Sequence, residues 1–119
     1  MSEQRATRDS RHHHPMPGTK VQMQVSRTFT DEEYQRMQWG VLPHDMDDRW
    51  FIYFEDNWFF FHRSWTGFCI YQVRLERSDT GWSIAEAWAN GDPNQFRRPE
   101  DTQLFLNVID YVLLGKQGL

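Results

Sequence analysis

The stretch from Trp50 to Arg63 limits what this chain can fold into more than any other part of it. Trp50-Phe-Ile-Tyr-Phe-Glu55 and Trp58-Phe-Phe-Phe-His-Arg63 are rich in aromatic residues that favour strands, and they flank Asp56-Asn57. A pair of this kind suits a two-residue hairpin turn, because both residues tolerate positive φ. The turn sets the register: residue 54 opposes 59, 52 opposes 61 and 50 opposes 63. Alternation then sorts the side chains onto two faces. One holds Trp50, Ile52, Phe54, Phe59, Phe61 and the terminal Arg63, and is the better core candidate. The other holds Phe51, Tyr53, Glu55, Trp58, Phe60 and His62, an aromatic but polar-tipped set that reads as a wetter surface.

The remaining elements are arranged around this hairpin. Val21, Met23 and Val25 alternate with polar residues, as in a strand with one wet face. Thr30-Asp31-Glu32-Glu33 is a capping box that predicts a short helix from about Asp31 to Trp39, ending near Gly40. Residues 41–49 read as a loop, and Ser64 to Gly67 as a turn or bulge. Strands follow from Phe68 to Glu76 and from Trp82 to Trp88, joined through Asp79-Thr80-Gly81. A last helix, from Pro99 or Glu100 to Leu114, puts Leu104, Phe105, Val108, Ile109 and Val112 on one stripe before Gly115 stops it. The order β-α-β-β-β-β-α predicts an α+β fold, an antiparallel meander of about five strands with helices packed on one face. Residues 20–119 form one domain of ordinary size. Residues 1–19, polar and carrying Pro15 and Pro17, read as a disordered tail.

Charge and cysteine content narrow the function classes. Residues 1–20 hold four basic and two acidic side chains, and the rest holds nine basic and fifteen acidic. An acidic body disfavours nucleic acid, whose phosphates need a basic face. One cysteine, Cys69, admits no internal disulfide and sits in an apolar run, where it reads as a small core hydrophobe. No apolar leader or run of about 20 apolar residues is visible, so the expectation is a cytoplasmic protein without a membrane partner.

The candidate ligand site is the run His62-Arg63-Ser64-Trp65-Thr66-Gly67. Arg63 offers a planar fork for carboxylate or phosphate, Ser64 and Thr66 offer hydroxyls, and the turn up to Gly67 offers backbone amides. Trp65 offers a stacking surface, and Tyr53 lies on the same aromatic hairpin. The bland reading has Arg63 paired with an acid, the hydroxyls satisfying the turn, and Trp65 packed. Catalytic candidates are His62 as general base and Glu86 as its acidic counterpart. Ile84 and Trp88 are expected on the Glu86 side of its strand, where a carboxylate needs a partner or a raised pKa. A pair with Arg63 or Arg74 is the structural alternative. Ser64 lacks the strand-turn-helix elbow of a hydrolase nucleophile. No spacing matches a phosphate loop or a dinucleotide fingerprint, so no cofactor is implied. His12-His13-His14 and the His44, Asp45, Asp47, Asp48 loop lack metal-site spacing, so no metal is expected. Arg97-Arg98 precedes a helix whose dipole it opposes. It contacts a ligand or partner, or it neutralises Glu100 and Asp101.

From Arg49 through Gly67 the sequence resembles a family of small uncharacterised bacterial proteins that sit beside, or are joined to, ADP-ribose-handling macro domains. The resemblance runs from Trp50 to Trp88, about a third of the chain. It implies an ADP-ribose-like or nucleotide ligand at His62 to Gly67 and no catalytic assignment. Two functions are therefore expected. The first is a small binding or interaction module that recognises a protein partner or a small anionic, nucleotide-like ligand through the aromatic face and the Arg63–Gly67 turn. A second copy in a homodimer is one such partner. The alternative is a small enzyme acting on a nucleotide or ADP-ribose-like substrate, with His62 and Glu86 as acid and base.

Overall fold

The structure, a computed structural model, describes residues 5–45 and 47–115. It is an α+β fold around one six-stranded antiparallel sheet. The elements are β1 (Lys20–Gln22), β2 (Thr28–Phe29), α1 (Asp31–Met37), β3 (Trp50–Glu55), β4 (Trp58–Arg63), β5 (Cys69–Ser78), β6 (Gly81–Asn90) and α2 (Thr102–Asn107). Helix α2 runs on as a π-helical segment, Val108–Leu113. The strand order is β1-β6-β5-β4-β3, with β2 also paired to β6. The expected meander is thus β3 to β6. The expected first strand, the alternation of Val21, Met23 and Val25, is shortened to β1, and β2 is an additional strand; both pair with β6.

The central hairpin has the register that its turn demands, with Trp50 opposite Arg63, Ile52 opposite Phe61 and Phe54 opposite Phe59. Asp56 and Asn57 take φ values of 52° and 73°, both positive as a type I′ turn requires. The capping box also forms. The Thr30 hydroxyl accepts from the Glu33 amide at 3.0 Å, and the Glu33 carboxylate accepts from the Thr30 amide at 2.9 Å. At the sheet's outer edge, Val41 and Ile52 exchange backbone hydrogen bonds of 2.8 and 3.0 Å.

The helices cover one face only. Beneath them Ile52, Phe59, Phe61, Tyr71 and Phe105 are all shielded from water and share one core with Met37, Val108, Ile109 and Leu113. Tyr34 of α1 stacks on Trp82 of β6, with ring centroids 3.9 Å apart. Asp31 accepts from the Trp82 indole at 2.9 Å and from Arg77 at 2.6 Å, which ties the start of α1 to the second hairpin.

Two β-bulges alter what simple alternation predicts. Phe61 opposes Tyr71 but His62 opposes Cys69, so Ile70 is an extra residue, and Ile70 and Tyr71 both join the helix-side core. Arg74 opposes Glu86 but Leu75 opposes Ile84, so Ala85 is extra. The second bulge corrects the expected placement of Glu86. Ile84 packs against the helix-side core, whereas Glu86 stays with Trp88 on the opposite face.

The other face departs from the expectation of a wetter surface. Phe51, Tyr53 and His62 are buried, and their cover is the N-terminal segment that composition suggested would be disordered. Residues 5–19 run as an irregular arm across this face. Ala6 is buried, and its amide donates to the Trp39 carbonyl at 2.9 Å. His13 meets the rings of Phe51, Tyr53 and His62, and the His14 amide donates to the Gly67 carbonyl at 2.8 Å. The arm lacks periodicity because it uses single side chains and isolated backbone bonds to dock, not a repeating face. Residues 1–4 and 116–119 of the expected tail and domain lie outside the described residues.

Candidate functional site: an arginine-lined cleft

The turn after β4 is shaped by its own polar groups. The Ser64 hydroxyl donates to the Asp48 carbonyl at 2.6 Å, and the Thr66 hydroxyl accepts from the Phe68 amide at 3.3 Å. The Gly67 amide donates to the Arg63 carbonyl at 2.8 Å, with Gly67 at φ 78°. Thr66 therefore satisfies a turn amide as the bland reading had it, whereas Ser64 ties the turn to the Asp48 carbonyl instead.

Arg63 and Trp65 behave differently. Arg63 is half-buried, and its guanidinium lies over the Trp50 ring, 4.5 Å from the centroid. It makes no ion pair with a carboxylate among the described residues. Burial holds its pKa below the usual arginine value; Tyr71 opposes that shift and the nearby positive charge of Arg49 adds to it. Trp65 is 69% exposed, although the bland reading would have it packed.

The strand ends bring further groups to this corner. Arg49 leads into β3, Arg63 ends β4, and the 91–101 loop leaves β6 beside them. A concavity of about 460 Å³ is lined by Arg49, Arg63, Trp65, Thr66, Phe68, Asn94 and Gln95. A second, of about 520 Å³, shares Arg49, Arg63, Asn94 and Gln95 and adds Arg97 and Arg98. Arg98 is paired with Asp101, which also caps α2 by accepting from the Leu104 amide at 2.9 Å. Arg49 and Arg97 make no carboxylate ion pair among the described residues. Of the pair Arg97-Arg98, Arg98 thus takes the neutralising role at Asp101. Arg49, Asn94 and Gln95 escaped the sequence reading, because only the fold brings them beside Arg63. Beyond the Arg63–Gly67 run itself, the helix-opposing arginine pair was the signal that pointed towards this corner.

Tyr53 and His62 lie elsewhere. They line a concavity of about 200 Å³ under the arm with His13, Phe60, Cys69 and Gln72. His62 is 1% exposed, stacks on Tyr53 at 5.6 Å, and is met by the His13 ring at 4.7 Å. Its Nδ1 has no hydrogen-bond partner among the described residues. Burial first, and the adjacent His13 second, push its pKa down to about 4, while backbone groups of His14 and Phe60 act in the other direction. Burial also pushes the Cys69 thiol up to about 12, which leaves it an inert core group.

His62 and Glu86 share a sheet face but not a site. They are two strands apart and offset by four residues along the strand, about 16 Å by ordinary sheet spacings. Glu86 is occupied by Arg74 at 3.6 Å and by the Trp88 indole at 2.6 Å. Among the described residues no three His, Cys, Asp or Glu side chains cluster as metal ligands. Nor, among them, is any helix long and apolar enough to cross a membrane. No protein-family model, curated protein or solved structure matches this chain.

Proposed function

We propose that this protein is a small binding module for an anionic ligand, held in the cleft between the β4 turn and the 91–101 loop. The observation that carries this reading is Arg63, half-buried beside Arg49 with no carboxylate partner among the described residues. Two neighbouring guanidinium groups repel, and an anion between them offsets that repulsion through charge-assisted, forked hydrogen bonds. Arg97 extends the positive wall. The aromatic sheet face is a weaker candidate for the recognition surface, since the arm lies over Phe51, Tyr53 and His62. A binding role is preferred to catalysis because the acid–base candidates do not face this cleft or each other.

Thermal-shift measurements against pyrophosphate, sugar phosphates, ADP-ribose and dicarboxylates test the reading. Saturation at about 100 times the dissociation constant stabilises by about 2.7 kcal/mol, several degrees for a domain of this size. The shift is expected to vanish in Arg63→Gln and shrink in Arg97→Gln. A shift that survives both substitutions places the anion elsewhere, and no shift with any anion removes the proposal.

A further inference from the structure

We propose that the ligand of this cleft is a nucleoside diphosphate, its base against Trp65 and its diphosphate among Arg49, Arg63 and Arg97. This rests on the anion-binding reading above and narrows it to one chemical class. The two concavities are contiguous, because Arg49 and Arg63 line both. Their unshared walls differ in chemistry. The first adds Trp65, Thr66 and Phe68, and the second adds Arg97 and Arg98 beside Pro93, Phe96 and Leu104. A ligand with a flat ring at the Trp65 end and an anionic group at the Arg97 end matches the side chains that distinguish the two walls.

The volumes, about 460 and 520 Å³, fall within the range of small-molecule sites. Trp65, at 69% exposure, presents enough ring to stack on a base, and aromatic stacking tolerates any base. The charge argues for two phosphates. One phosphate brings at most about two negative charges, whereas the wall offers three guanidinium groups with no carboxylate partner among the described residues. Arg98 stays with Asp101 and marks the far end of the cationic wall. Asn94 lines both concavities and offers an amide to the sugar between the two ends.

Calorimetric titrations of the full chain with ADP, inorganic pyrophosphate and adenosine test the assignment. ADP is expected to bind about tenfold more tightly than pyrophosphate, with adenosine weakest. Trp65→Ala should remove that tenfold advantage and leave pyrophosphate binding unchanged, since its side chain is mostly in solvent and contributes little to the core. Arg97→Gln should weaken ADP and pyrophosphate together. Equal affinities for ADP and pyrophosphate, insensitive to Trp65→Ala, overturn the nucleotide assignment while leaving an anion site. Binding of neither compound overturns the anion site as well.

Discussion

Phe61 on the helix side of the sheet is 0% exposed and Phe51 on the arm side is 1% exposed, but their covers differ in kind. Beside Phe61 lies Tyr71 of the neighbouring strand and above it Phe105 of α2, side chains anchored in regular elements. Above Phe51 lies His13, part of an arm held by scattered contacts such as the Ala6–Trp39 and His14–Gly67 backbone bonds. Equal burial therefore does not mean equal constraint. Cover built from regular elements is supported by its own hydrogen-bond ladders, whereas an arm depends on the surface it lies on.

The largest expected effect separates the two covers directly. Phe61→Ala should cost about 3–5 kcal/mol in urea unfolding, the usual range for an aromatic lost from a packed core. Phe51→Ala should cost less, about 2 kcal/mol, because the arm can settle into the space. Equal losses at the two positions would show that the arm is as firmly held as the helices.

Acid sharpens the comparison next. His62 stays neutral in the fold down to about pH 4, whereas in the unfolded chain it takes up a proton near its ordinary value of 6.5. Its contribution is complete above pH 6.5 and is lost as pH falls from 6.5 to about 4. The loss amounts to about 3 kcal/mol, with little further change from this group below that. His62→Phe should remove that part of the slope from stability measured across this range. Parallel slopes in the two proteins would mean that His62 titrates alike folded and unfolded.

The smallest effect tests how the arm is attached. Gly67 sits at φ 78°, and an added Cβ would come within 3.1 Å of the His13 Cα and 3.2 Å of the His12 carbonyl oxygen. Gly67→Ala should cost about 1–2 kcal/mol for the left-handed conformation. It should also speed tryptic cleavage at Arg8 and Arg11 while the sheet resists. Unchanged cleavage would mean that the arm does not depend on this contact.

These contrasts follow how far each feature could be read from the residues. The β3–β4 register was legible because Asp56-Asn57 and two aromatic runs agree locally, and the capping box at Thr30 was legible for the same reason. The bulges at Ile70 and Ala85 were not, since an extra residue in an apolar run leaves no compositional mark. One of them moved Ile84 away from Glu86. The arm was invisible because polar residues and prolines that bind by single contacts look the same as residues that bind nothing. In the cleft, Arg63 and Trp65 stood out within one short motif. Arg49 precedes them by a whole hairpin and Asn94 and Arg97 follow by about thirty residues, and these meet Arg63 and Trp65 only through the antiparallel return of the chain.

The bridge between Val41 and Ile52 bears on how this protein behaves at high concentration. β3 is the last strand of the sheet, and an open last strand is a template on which another chain can add its own backbone. Here the two backbone groups of Ile52 that point outward are already bonded to Val41. The approach is close enough that a Cβ on Gly40 would lie 2.1 Å from the Ile52 carbonyl oxygen. A strand arriving from outside would meet an interrupted row of partners at its centre. The Gly40–Val41 corner thus acts as a stopper that keeps an unusually aromatic hairpin from seeding edge-to-edge growth.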